Sequence, residues 1–313
     1  ARWIGAIGLV LALAFVAGCA STGQSLVSAR FCEHSRIHNA TEQDRLLRYA
    51  AIVRAELQAS GEGVALISRT GIDLDRFDIR FSHAGVALRD NAEVPWSVRQ
   101  LYYACDEGKP LLFDQGIAGF LFNSDQPALG HVSIILLPAP ASTELARTAL
   151  DRDIALRLLA ARYSANAYPF SDRYQNCNQW VIELLAAAWG GLPDGPDLRA
   201  RAQAWLAAEG YAPRPLILDS HPLRFAAQFM PLLQLDDHPD DERFGMTMTV
   251  SLPDTIETFV RTRLPEARRI EICHDERRVV IRQGWDPIAA GCKPAAGDRV
   301  VALYPDATTP DKL

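Results

Sequence analysis

The sequence predicts an α+β fold, an antiparallel sheet that carries helices, followed by a smaller C-terminal α/β extension. Short apolar runs bounded by turn residues dominate residues 62–138, as expected of strands. Apolar residues at helical spacing follow from residue 141. Beyond residue 212 proline and aspartate become frequent and the predicted strands become short. With 313 residues, 49% of them hydrophobic, the chain is long enough to bury a substantial core.

The first predicted helix lies in TEQDRLLRYAAIVRAELQASGEG, where Thr41 can cap the helix and Gly61 ends it. Its apolar face consists of Leu46, Ala50, Val53 and Leu57. Strands are then predicted in EGVALISRTG, RFDIRFSHAGVALRD, WSVRQLYYA and GHVSIILLP. The second and third of these strands are expected to pair as an antiparallel hairpin.

Helical spacing returns in STELARTALDRDIALRLLAARYSA, which predicts one helix. An irregular stretch leads into a helix over residues 177–189, and a shorter helix is predicted over 197–209. FGMTMTVSLPDTIETFVRTRL predicts a strand, a loop and a helix, and RRVVIRQGW one more strand. We place a domain boundary at residue 212, so that residues 41–212 form the core and 213–313 an extension packed on it.

Composition excludes several classes of function. The formal net charge is −6 and the sequence contains no Lys/Arg-rich run, which argues against a nucleic-acid partner. It also contains no Gly-rich phosphate loop, Walker sequence or CxxC pair, so no cofactor is expected. The segment LDDHPDDE holds Asp236, Asp237 and His238, and we interpret it as a solvated acidic turn. A metal site there is the weaker alternative, and no metal is predicted.

The N-terminus has the pattern of an export signal. Arg2 is followed by an uncharged, largely apolar run over residues 3–18, shorter than the roughly 20 residues of a spanning helix. VAGC resembles the bacterial lipobox, in which the cysteine is lipidated and becomes the new N-terminus. That resemblance implies a signal peptide over 1–18, a lipid on Cys19 and a tether over 19–40. Ala20 implies an outer-membrane lipoprotein facing the periplasm; an uncleaved anchor or an ordinary signal cut nearby are the alternatives.

Export changes the interpretation of the cysteines, because disulfides persist in an oxidising periplasm. Five cysteines remain if Cys19 carries lipid. Cys273 could pair with Cys292, and Cys32 with Cys105, although sequence alone does not fix the connectivity. That pairing leaves Cys177 free.

Cys177 is a candidate nucleophile because it begins a predicted helix, where unpaired N–H groups lower the pKa of a thiol. His83 in FSHAGVAL is the candidate general base, and Gln100 in VRQLYY is the candidate group that orients the imidazole. Each has a structural alternative: a buried thiol, a hydrogen-bonded core histidine and a surface glutamine. His131 in LGHVSII is a reserve base.

SHAG on a strand, a polar residue on the next strand and a cysteine that opens a helix resemble the circularly permuted NlpC/P60 branch of papain-like cysteine hydrolases. This resemblance covers about residues 64–190 and implies a permuted papain-like core with Cys177 as nucleophile, His83 as base and Gln100 as orienting residue. Gln100 departs from the His, Glu or Asn usual there. From FCEHSRIHNAT through RYQNCNQWVIELLAAA to LDDHPDDERF the chain also resembles the DUF2145 group of exported bacterial proteins.

The predicted function is a lipid-anchored periplasmic cysteine hydrolase or acyltransferase that cleaves an amide or ester bond through a thioester. A peptide or lipid of the cell envelope would be its substrate, and the membrane its partner through Cys19. Asn176 and Asn178 could contact the oxyanion together with the Cys177 N–H, although Asn176 could also cap the helix. The alternative is a non-catalytic binding or envelope-assembly lipoprotein that retains the fold. No oligomeric state is predicted.

Overall fold

The computed structural model describes residues 37–305, apart from positions 93, 219, 228 and 231. The predicted signal peptide, the lipidation site Cys19, most of the tether and Cys32 lie outside the described residues. None of the described helices is long and apolar enough to cross a membrane.

An antiparallel sheet of eight strands organises the described chain, in the order β10-β9-β8-β5-β1-β2-β3-β4. A small second sheet pairs β6 with β7. The strands are β1 (Val64–Arg69), β2 (His83–Leu88), β3 (Ser97–Ala104), β4 (Lys109–Gly116), β5 (Gly130–Leu136), β6 (Arg214–Ile217), β7 (Thr247–Val250), β8 (Arg268–His274), β9 (Arg278–Gln283) and β10 (Arg299–Ala302).

Helices cover both faces of the large sheet. They are α1 (Ala40–Ala59), α2 (Ile117–Phe122), α3 (Ala141–Leu150), α4 (Arg152–Arg157), α5 (Cys177–Trp189), α6 (Leu198–Ala208), α7 (His221–Ala227), α8 (Asp240–Phe244) and α9 (Pro253–Arg263). The fold is therefore mixed α and β, with a large antiparallel sheet and several helices, as the sequence predicts.

Alternate residues of the strands point to opposite faces of the sheet and pack into two separate hydrophobic cores. On one face Ala84, Val86 and Leu88 of β2 pack with α3, α5, α6 and α9. On the other face Ala87 packs in a core formed mainly by α1, α2, β5 and β8. Because both faces are covered, β1, β2 and β5 are buried along their whole length. This explains why these segments read as apolar runs.

Several predicted elements are confirmed and others are corrected. β2 and β3 pair antiparallel, as expected, and α5 has the predicted bounds. Asn39, rather than Thr41, caps α1. The single helix predicted after residue 141 is two helices, because the Asp151 side chain accepts hydrogen bonds from the Asp153 and Ile154 amides and starts α4 anew.

The segment after residue 212 contributes strands to the large sheet. β8 pairs with β5 from Gly130↔His274 to Leu136↔Arg268, and β9 and β10 continue the sheet beyond it. β4, α2 and β8 are elements that the sequence analysis did not find. The division into a core and an extension at residue 212 stays a prediction.

Candidate functional site

Helix α5 begins at the candidate nucleophile. Asn176, in an extended conformation (φ −103°, ψ 174°), caps the helix, and its Oδ1 accepts a hydrogen bond of 2.7 Å from the Gln179 amide. Cys177 is the first helical residue and is 7% exposed. Among the cysteines of the described chain it is the one with a free thiol. The helix therefore fixes a buried thiol where backbone N–H groups lack helical partners.

Strand β2 begins at the candidate base. Nε2 of His83 lies 2.6 Å from Oε1 of Gln100. Because an amide oxygen only accepts, Nε2 is the donor and the lone pair of the neutral ring is on Nδ1. Gln100, fully buried on β3, donates in turn to Oε1 of Gln115 at 2.7 Å. The structure thus brings His83 and Gln100 together and fixes the tautomer of the imidazole.

The start of α5 lies against the start of β2. Nδ2 of Asn178 donates to the Ser82 carbonyl at 3.2 Å, and the Ala84 amide hydrogen-bonds the Cys177 sulfur. The sulfur therefore contacts the backbone next to His83. The imidazole stacks on Tyr102 at 4.5 Å between ring centroids and lies 5.9 Å from Phe120, on the side of α1 and α2. Among the described contacts, no hydrogen bond joins the imidazole to the sulfur.

Both candidate groups are held in their neutral forms. Burial raises the pKa of Cys177 to about 11, although Arg69 and the amides of Asn178, Cys177 and Ala84 oppose the shift. Burial also lowers the pKa of His83 well below 6.5, and the positive charge of Arg69 lowers it further. At neutral pH the site therefore holds a thiol and an uncharged imidazole.

Arg69 is a residue that the sequence analysis missed. It is 2% exposed at the end of β1, and it donates to the carbonyls of Thr70 (3.1 Å) and Asn123 (2.6 Å) and to the Tyr102 hydroxyl. No carboxylate pairs with it among the described residues. A Cβ on Gly71 would lie 2.8 Å from Nη1, so this glycine leaves room for the guanidinium. The signal in the sequence is an arginine that ends the buried apolar run VALISR.

We call Arg69, His83, Gln100, Tyr102 and Cys177 the thiol site. It combines a buried free thiol, a neutral imidazole with a fixed tautomer and a buried guanidinium that has no carboxylate partner among the described residues. A buried guanidinium without a counter-charge favours any neighbouring anion, such as a thiolate or an oxyanion.

The side chains of Asn176 and Asn178 form hydrogen bonds with the backbone. Nδ2 of each donates to the Ser251 carbonyl, at 3.4 and 3.2 Å, and Nδ2 of Asn176 also donates to the Ala165 carbonyl. Asn176 thus has the capping contact given above as its alternative role. The oxyanion role stays a prediction. The groups that could perform it are the backbone N–H groups of Cys177 and Asn178.

The remaining candidates lie elsewhere. Cys273 and Cys292 form a disulfide with their Cα atoms 5.7 Å apart, and Cys105 is also disulfide-bonded. Nδ1 of His131 lies 3.3 Å from Oε1 of Glu271. His238 contacts Glu242 and the Asn166 carbonyl. In the described chain no group of three or more His, Cys, Asp or Glu side chains could hold a metal ion.

Comparison with known proteins matches the chain to a family. No curated protein and no solved structure matches the chain. A family model described as "Uncharacterized protein conserved in bacteria (DUF2145)" matches residues 56–260. The match runs from the end of α1 into α9 and contains the whole thiol site. Because it spans well over half of the 313 residues, the chain belongs to the DUF2145 family.

Proposed function

We propose that this protein is a lipid-anchored cysteine hydrolase or acyltransferase of the permuted papain-like type, acting on an amide or ester of the cell envelope. One observation carries the proposal. The free thiol opens α5 and contacts the amide of Ala84, the residue that follows a histidine whose tautomer Gln100 fixes. The order of histidine, polar residue and cysteine along the chain is that of the permuted NlpC/P60 branch.

The proposed reaction uses three groups of the thiol site. The Cys177 sulfur attacks the carbonyl carbon while its proton passes to Nδ1 of His83 and then to the leaving amine or alcohol. The acyl group remains as a thioester, which water or a second acceptor attacks, and the thiol is regenerated. The amides of Cys177 and Asn178 would donate to the oxyanion. Because no hydrogen bond joins the imidazole to the sulfur among the described contacts, this step requires the two side chains to move closer together.

A chemical test addresses the proposal directly. p-Nitrophenyl acetate should leave one acetyl group on Cys177, detected by intact mass and peptide mapping, and Cys177→Ser should remove it. His83→Gln should slow acetylation by about 100-fold, the usual contribution of a general base. His131→Gln is the matched control, because it changes a buried strand histidine outside the thiol site. Acetylation of Cys177 at the parent rate in His83→Gln would remove the base from the proposal.

A second candidate is favoured by a specific observation. The thiol is buried and its pKa is raised to about 11, the state expected of a packing residue rather than an activated nucleophile. On this alternative the protein is a binding or envelope-assembly lipoprotein that retains the fold. Failure of Cys177 to acetylate in the folded parent, with labelling only after denaturation, would select it.

The lipid anchor is a separate part of the proposal and rests on VAGC. Cys19→Ser should move the protein from the outer-membrane fraction to a soluble fraction and abolish incorporation of labelled palmitate. Cys32→Ser serves as control for the loss of a cysteine near the N-terminus. If Cys19→Ser remains in the membrane fraction with its label, the anchor lies elsewhere.

A further inference from the structure

A cavity of about 540 Å³ lies between the large sheet and α9. Its walls come from Thr70 after β1, the segment before β2, His131 of β5, Arg269 of β8, α9 and the loop over residues 285–291. Its volume is within the range of small-ligand pockets. Neither Cys177 nor His83 lines it, so it is distinct from the thiol site.

One end of the cavity is acidic. Arg214 donates to the Asp254 carboxylate at 2.9 Å and to the Asp78 backbone carbonyl at 3.3 Å, which places Asp78 and Asp254 at the same end. Asp75, one turn before Asp78, lines the cavity as well. Arg214 pairs with the Asp254 carboxylate alone, so the carboxylates of Asp75 and Asp78 make this end negative.

The opposite end is basic. Arg261 follows Asp254 by two turns of α9, so the two positions are about 10 Å apart along the helix axis. The Arg261 guanidinium lies over the Trp285 ring at 5.2 Å, and no described carboxylate pairs with it. Arg80 also reaches this loop, where it donates to the Ile288 carbonyl at 2.7 Å, but its charge is paired with the buried Glu271 carboxylate at 2.7 Å. Arg261 is therefore the guanidinium at this end that has no described carboxylate partner.

The floor of the cavity contains polar atoms without partners. Arg269, whose side chain is 4% exposed, pairs with Glu257 at 2.9 Å and with Glu271 at 3.0 Å. Its Nη1 and the Oε1 of Glu257 are buried and have no hydrogen-bond partner among the described residues. Buried polar groups are nearly always paired, so an unpaired donor and an unpaired acceptor on two side chains that line one cavity indicate a missing polar group. A peptide amide supplies both an acceptor and a donor.

We propose that this cavity binds a short peptide with free termini. The amino group faces Asp75, Asp78 and Asp254, and the carboxylate faces Arg261. A separation of about 10 Å corresponds to about three extended residues. An amide in the middle of the peptide pairs with Arg269 and Glu257. The thiol site takes no part in this binding, and the proposal does not depend on the proposed hydrolase activity.

Isothermal titration calorimetry with trialanine tests the proposal. Trialanine is expected to bind at millimolar or lower concentration, and blocking either terminus, in N-acetyl-trialanine or trialanine amide, should weaken binding at least tenfold. Asp78→Asn should weaken binding of trialanine and leave that of N-acetyl-trialanine unchanged. Arg261→Gln should weaken binding of trialanine and leave that of trialanine amide unchanged.

Arg147→Gln is the matched control, because Arg147 is an exposed arginine on α3 whose partner, Glu144, is also exposed. This variant should bind trialanine like the parent. Absence of binding by trialanine would overturn the proposal, and so would equal affinity for the free peptide and for one capped at both ends. The proposal would also be overturned if Asp78→Asn or Arg261→Gln lost the same affinity for all three peptides. The charged side chain would then not bind one particular terminus of the peptide.

Discussion

Helix α5 carries one buried ionic cluster in its middle and another at its start, and the two are built differently. In the middle, Glu183 is fully buried and accepts two hydrogen bonds from Arg199, at 2.8 and 3.0 Å. Three glutamine side chains also donate to it, from Gln175, Gln179 and Gln203. We call this group the Glu183 network. At the helix start, the Arg69 guanidinium beside Cys177 has no carboxylate partner among the described residues.

This difference indicates that the Glu183 network stabilises the fold, whereas the thiol site is suited to bind a ligand or to react. The Glu183 network joins α5 to α6 and to the segment before Cys177, and its charges compensate each other. Within the described part of the chain, the thiol site leaves the buried positive charge of Arg69 without a carboxylate, which costs stability and favours the binding of negative charge. Sites that store such a cost are more often functional than structural.

Disruption of the Glu183 network is expected to have the largest effect. Glu183→Gln keeps the shape of the side chain but leaves the buried Arg199 without its counter-charge, at a cost of about 3–5 kcal/mol in free energy of unfolding. Urea denaturation followed by circular dichroism measures the loss. Glu144→Gln, which breaks the exposed pair with Arg147, should cost less than about 1 kcal/mol.

A double variant sharpens this prediction. Glu183→Leu combined with Arg199→Met removes both charges, so it should be more stable than Glu183→Leu alone. If the double variant loses the sum of the two single losses, the charges do not interact and the network is not a compensated pair.

Arg69→Met is expected to have a smaller effect on stability and a specific effect on the thiol. The loss of its hydrogen bonds leaves carbonyls unpaired, at a cost of about 1–3 kcal/mol. Because Arg69 lowers the pKa of Cys177, its removal should raise that pKa above about 11. The rate of iodoacetamide labelling at a fixed pH should fall about tenfold for each unit of pKa. Arg147→Met is the control, and an unchanged labelling profile would place Arg69 outside the electrostatics of the thiol.

The sequence predicted the hairpin of β2 and β3 and the bounds of α5, because turn residues and apolar spacing mark them. It did not predict β8, whose run RRIEICH places charged residues in a buried strand. Glu271 in that run is fully buried because Arg80, Arg269 and His131 surround it. Partners that are distant in sequence cannot be inferred from a local pattern. For the same reason the sequence analysis did not identify Arg69 and Glu183 as buried charged residues.

The contact of His83 with Gln100 was predictable, because a polar residue inside an apolar strand needs a partner. Which way the imidazole faces was not predictable. Packing on Tyr102 and Phe120 decides it, and Phe120 lies on α2, a helix that the sequence analysis did not find.

Gln100→Leu tests how far the thiol site depends on the orienting hydrogen bond. The variant leaves Nε2 of His83 and Oε1 of Gln115 without partners, which should cost about 1–3 kcal/mol in free energy of unfolding. Gln115→Leu removes only the outer bond and should cost less. If the two variants lose the same stability, the hydrogen bond to His83 contributes nothing of its own.

The smallest expected effect is a change in how the free energy of unfolding depends on pH. It tests whether the thiol site disfavours protonation of His83. The folded protein holds the pKa of His83 well below 6.5, first through burial and then through Arg69. Below pH 6.5 His83 therefore binds a proton in the unfolded chain but not in the folded chain. The free energy of unfolding should fall as the pH drops below 6.5.

Urea denaturation at a series of pH values between 7 and 5 measures this slope. His83→Gln should flatten it, and Arg69→Met should reduce it by a smaller amount, because burial is the larger cause. The slope that remains in His83→Gln belongs in part to His274, whose pKa burial lowers to about 4. A slope in His83→Gln equal to that of the parent would mean that His83 gains its proton in the folded state. Arg69 would then not set the charge of its neighbours, and the contrast between the thiol site and the Glu183 network would lose its electrostatic basis.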